Sequence, residues 1–111
     1  MGKVVIGCFF TYGILMGADI NETIFDGNCG SCHTLKDRSS APLITEIVQK
    51  YKNKYPKEKE FVNALSNWVF SPNKKFSLFP KAVNYYGLMP ELGMDKDTLR
   101  GIGKYLFERK F

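Results

Sequence analysis

Apolar residues recur along this chain at helical spacing, and no alternating run long enough for a strand interrupts them. Ile20 and Ile24 share one face of a short segment, and Phe25 sits one helical turn before Cys29. Asp19 can cap that segment, and Glu22 stands three residues on, close to a capping box, which predicts a helix from Asp19 to about Asn28. Residues 36–41 are polar and loop-like. Leu43, Ile44, Ile47, Val48 and Tyr51 then repeat at helical period. Phe61, Leu65, Trp68 and Val69 form the apolar stripe of a further helix, and Pro56 falls where a first helical turn accepts proline. Ser71-Pro72-Asn73 is a break. Phe79, Val83 and Tyr86 lie on one side of a short helix that Gly87 stops, and residues 88–94 read as an irregular loop. From Asp95 to the end, Leu99, Ile102, Tyr105 and Leu106 predict a final amphipathic helix, capped by Asp95 or Asp97. The predicted class is all-α, short helices joined by loops.

The first eighteen residues do not share this pattern. Lys3 is followed by an uncharged run from Val4 to Ala18, of a length that suits a signal-peptide core and falls short of a comfortable membrane span. Gly17 and Ala18 are small, so cleavage before Asp19 is expected, leaving one domain over residues 19–111. Met16 matches the cleavage pattern poorly, which keeps an uncleaved anchor as the alternative, and membrane association is expected only in that case. Val5-Ile6-Gly7-Cys8 is similar to a lipoprotein box, but almost no apolar sequence precedes it. The expectation is export.

Composition changes this picture little. The 111 residues, 44% hydrophobic and 14% aromatic, suit one small globular domain with a modest core. Net charge is +5, and +4 once Lys3 leaves, with 15 basic residues against 11 acidic. That excess suits an acidic protein face or an anionic membrane surface. The lysine-rich run over residues 50–60 reads as a solvated helix end and turn, and no nucleic-acid motif is present.

The chemistry concentrates in Cys29-Gly30-Ser31-Cys32-His33. Two cysteines with two residues between them, followed at once by histidine, are what covalent haem attachment requires. The thiols can add to two vinyl groups on one porphyrin edge, and the histidine then lies beneath the iron. A thioredoxin-like dithiol wants a strand just before the motif, and a short helical segment stands there instead. Structural zinc wants a fourth ligand, and the only other cysteine, Cys8, lies in the leader; there is no second histidine. After cleavage Cys29 and Cys32 are the only cysteines, so no structural disulfide is expected. His33 being the sole histidine, bis-histidine ligation of one iron is excluded, and the candidates for the second ligand are Met89 and Met94. Met89 follows a helix-ending glycine and precedes a proline, a context that favours a loop able to fold over a haem face.

Cys29-x-x-Cys32-His33, the Ala41-Pro42 turn, the Gly87-Leu88-Met89-Pro90 loop and a last helix carrying Ile102-x-x-Tyr105 together resemble a small class I c-type cytochrome of the bacterial, exported kind, over Asp19 to Phe111. The resemblance implies a cytochrome c fold around one covalent haem c, with His33 and Met89 as axial ligands of the iron. It implies that Phe25 packs against Tyr105 where the first and last helices cross. It implies that the Pro42 carbonyl orients His33 through its other ring nitrogen. Trp68 is a candidate donor of its indole N–H to a haem propionate, set against a plain core role. The sequence departs from the family at Asn21, where a small residue is common; Gly101 and Gly103 are expected to supply the close approach instead.

The expected function is single-electron transfer in an extracytoplasmic, periplasmic respiratory chain, by a monomer that needs no catalytic residue and meets redox proteins with acidic docking faces. A haem subunit of a larger membrane oxidoreductase or terminal oxidase, or an open-site haem enzyme or gas sensor, are the alternatives that keep the cofactor.

Overall fold

Helical pattern becomes helix in every predicted place. The computed structural model describes residues 20–111; the expected leader over residues 1–18, the lipobox-like Cys8 and the Asp19 cap lie outside them. Among the described residues there is no strand. Helix α1 covers residues 20–28. Then come α2 (Ile44–Lys54), α3 (Glu58–Phe70), a 3₁₀ turn (Lys74–Phe76), α4 (Pro80–Tyr86) and α5 (Lys96–Glu108).

The buried positions follow the stripes. Ile44, Val48 and Tyr51 of α2, Phe61 and Leu65 of α3, and Leu99, Ile102 and Leu106 of α5 meet Phe25 of α1 in one core. Phe61, at 0% exposure, is its centre, set edge-on to Tyr51 (ring centroids 6.2 Å apart) and to Phe107 (5.1 Å). Burying such a ring is worth roughly 1.5–3 kcal/mol, which makes it the natural organiser of a core this small.

α3 and α5 form the main helix pair. Gly103 lies at their crossing, where a Cβ would meet Val62 Cα and Cγ1 at 3.5 Å, an ordinary van der Waals distance. At the other crossing, Phe25 meets Tyr105 with ring centroids 5.9 Å apart and planes tilted by 43°. There Gly101 faces Asn21, and a Cβ on it would lie 2.8 Å from Asn21 Oδ1. Gly101 thus faces α1 and Gly103 faces α3, and of the two only Gly101 sits where a Cβ would be crowded.

Several details differ from expectation. Pro56 lies outside α3, because Lys57 is extended and serves as the residue that enters the helix (φ −87°, ψ 136°). The 3₁₀ turn was not in the apolar pattern; the Asn73 side chain builds it by accepting from the Lys75 N–H at 2.8 Å. Ser66 is a polar residue in the core, satisfied by donating its hydroxyl to the Val62 carbonyl at 2.6 Å. The lysine-rich run is not merely solvated: Lys50 lies over the Phe79 ring and Lys52 over the Phe107 ring, each 4.9 Å from the centroid, and Lys54 over Tyr55.

Candidate functional site

The Cys29–His33 motif is a helical turn continued from the end of α1. Cys29 and Gly30 donate their N–H groups to the Phe25 carbonyl at 2.7 and 3.0 Å. Cys32 and His33 donate theirs to the Cys29 carbonyl at 3.2 and 2.8 Å. Spacings of three and four residues in a turn of this kind bring side chains to one side. Cys29, Cys32 and His33 accordingly line a single cavity. Cys29 is half-buried and Cys32 exposed. Burial, and then the neighbouring Cys32, push the Cys29 thiol above its ordinary pKa.

His33 Nδ1 lies 2.9 Å from the Pro42 carbonyl oxygen. A carbonyl only accepts, so Nδ1 carries a proton, and Nε2 is the ring nitrogen left for another partner. The loop that brings Pro42 there is held locally. Ile44 N–H donates to the Thr34 carbonyl at 3.1 Å, closing the loop onto the start of α2. The Asp37 carboxylate accepts from the Ser39 N–H at 2.8 Å, and these Ser39 hydrogen bonds hold its carboxyl below the usual range. The Arg38 guanidinium binds Glu46 of α2.

The cavity wall continues through Ile44, Leu65, Leu78, Phe79, Val83 and Leu99 to Met89, and no charged side chain lines it. Met89 reaches it because Gly87 takes φ +90° after the last residue of α4 and turns the chain out of the helix. Met94 is not in that wall; it packs on the outside of the hydrophobic core. Trp68, the candidate propionate donor, lines the cavity, and its indole N–H is donated to the Asn73 carbonyl at 3.0 Å. Tyr51, Ser66 and Tyr86 also border the cavity. Polar residues inside apolar helical stripes were the only sequence signal for them, and their direction is set by the helix packing.

Among the described residues no cluster of three or more histidine, cysteine or acidic side chains is placed to hold a metal by itself. A family profile described as cytochrome c matches residues 20–107. The chain belongs to the cytochrome c family. No curated protein and no solved structure matched it.

Membership of the cytochrome c family gives the chain its cofactor, covalently bound haem c with iron, and its role, carrying electrons. The residues present fit that group. A mainly apolar cavity without a charged side chain in its wall suits a large flat apolar ring, and two thiols and a histidine with Nδ1 already engaged stand at one part of that wall. Also among the described residues, no helix is long and apolar enough to cross a membrane.

Proposed function

We propose that this cytochrome c is a single-electron carrier whose iron is held between His33 and Met89, with Cys29 and Cys32 forming the thioethers. When bound, haem c supplies one-electron exchange between ferric and ferrous iron. The observation that carries the ligand assignment is the separation of the two methionines: Met89 borders the same cavity as His33, and Met94 packs against the core. The Pro42 carbonyl fixes the ring of His33 and leaves Nε2 to the metal. A thioether from Met89 favours ferrous iron and raises the potential. A filled second position leaves no vacancy for substrate, which is why transfer rather than catalysis is the task. The chain acts outside the cytoplasmic membrane as an exported class I protein of the bacterial kind, with residues 1–18 as its signal. Its partners are redox proteins with acidic faces, matched to the net charge of +4 that remains once Lys3 leaves.

Optical spectra of the oxidised and reduced protein, with and without carbon monoxide, test the assignment. The wild type is expected to be low-spin and indifferent to carbon monoxide, and Met89→Ala to become high-spin and to bind it. If Met94→Ala shows that change and Met89→Ala does not, the ligand is the other methionine. A wild type that binds carbon monoxide readily would replace the carrier reading with an open-site one.

A further inference from the structure

The segment that carries Met89 is the least anchored part of the cavity wall. α4 has seven residues and none of them is buried. A helix that short does not hold by itself in water, so its place depends on contacts made to the rest of the fold. Beyond it, residues 87–93 are irregular and bracketed by two glycines of positive φ, Gly87 at +90° and Gly93 at +72°. Chain with such pivots at both ends, and no ladder of its own, is free to swing unless something ties it.

One tie is present. The Tyr86 hydroxyl, at the last position of α4, donates to the Arg38 carbonyl oxygen at 2.5 Å, across 48 residues of sequence. Among the described residues it is the only hydrogen bond from residues 80–94 to a residue distant in sequence. Its acceptor is itself fixed, since the Arg38 guanidinium is bound to Glu46 on α2 and the loop around it is closed by Thr34, Asp37 and Ser39. The same loop presents the Pro42 carbonyl to His33. The bond therefore joins the His33 side of the cavity to the Met89 side.

We propose that Tyr86 is a positioning residue for Met89: its hydrogen bond to the Arg38 carbonyl holds α4 and the loop after it against the His33 wall, and so keeps Met89 on the iron. This rests on the His33/Met89 reading above. Met89 stands three positions after Tyr86, a reach of about 10 Å when extended, so fixing the tyrosine confines the methionine. Undocking of the segment breaks the bond and frees the iron position for an outside ligand. An outside ligand sees only the undocked fraction, and its apparent affinity scales with that fraction.

The test is titration of the ferric holoprotein with imidazole in wild type, Tyr86→Phe, Tyr85→Phe, Met89→Ala and Tyr86→Phe/Met89→Ala. Phenylalanine keeps the ring and removes only the donor. Tyr85, 82% exposed and outside the cavity wall, is the control for altering a neighbouring tyrosine. Tyr86→Phe is expected to raise imidazole affinity about five-fold, the conversion of about 1 kcal/mol for one neutral hydrogen bond. Tyr85→Phe should match wild type, and Tyr86→Phe should add nothing once Met89 is alanine. An effect that persists undiminished in the Met89→Ala background would make Tyr86 a general structural residue and overturn the proposal. So would a Tyr86→Phe protein that binds imidazole as wild type does. A wild type that binds imidazole as tightly as Met89→Ala would instead refute the ligand assignment, and this proposal with it.

Discussion

Two glycines two residues apart on α5 should respond oppositely to the same substitution. A Cβ at Gly101 would lie 2.8 Å from Asn21 Oδ1, closer than Cβ contacts come, so the asparagine side chain must move. Overfilling a packed contact costs about 1–3 kcal/mol, and turning the asparagine off its rotamer alone accounts for about 0.5–1.5 kcal/mol of that. At Gly103 the added methyl meets Val62 at 3.5 Å, an ordinary van der Waals distance. Both positions lie inside a helix, where alanine is favoured over glycine by about 1 kcal/mol. Gly103→Ala should therefore stabilise by up to about 1 kcal/mol. Gly101→Ala should range from neutral to about 2 kcal/mol destabilising once the helical gain is set against the clash. The two variants should separate by several degrees in melting temperature, at about 4–8 °C per kcal/mol for a domain this size. Thermal and urea unfolding of the holoprotein reads this. Asn21→Ala is the diagnostic background: with the amide gone, Gly101→Ala should recover at least about 1 kcal/mol, a coupling expected only of residues in contact. A Gly103→Ala protein less stable than Gly101→Ala, or a double-mutant cycle without coupling, would refute the division of the two crossings. The consequence reaches the site, since α1 runs directly into Cys29.

Phe61→Ala removes a fully buried ring with aromatic neighbours on two sides and should cost about 3–5 kcal/mol in urea unfolding; a loss under 1 kcal/mol would mean the core closes without it. Asp95 caps α5 by accepting from the Thr98 N–H at 3.1 Å and from its hydroxyl at 2.6 Å, and these bonds hold its carboxyl below the usual range. A depressed folded pKa gives stability that is present above the ordinary aspartate range and lost as pH falls through the folded value. The melting temperature of wild type should accordingly drop faster than that of Asp95→Asn below about pH 4, and parallel curves would contradict the cap assignment. Tyr51 titrates late, pushed up to about 12 by burial and then by Tyr55. Its contribution to stability is complete below about pH 10 and is lost as pH rises through 12, so ultraviolet titration should show one phenol fewer in the late phase for Tyr51→Phe.

Much of this protein was legible before any coordinates. Five helices followed from apolar period alone, because a helix's buried face is encoded at intervals of three and four residues and needs no distant partner to be recognised. The attachment motif was equally local: its residues are consecutive, and one turn of backbone hydrogen bonding brings its side chains to one cavity. Pairings across the chain were a different matter. The glycine and proline around Met89 already favoured it over Met94, but which methionine faces the cavity is a matter of packing. The positive φ at Gly87 and the packing of α4 turn Met89 inward, and Met94 falls against the core. The two α5 glycines looked interchangeable until two different helices approached them. The indole hydrogen of Trp68 found a carbonyl five residues on, and Tyr86 found one 48 residues away. Local spacing determines which residues lie on one face of an element. Which face meets which depends on how closely two backbones can approach and on where the loops between them turn, and only the packed chain decides that.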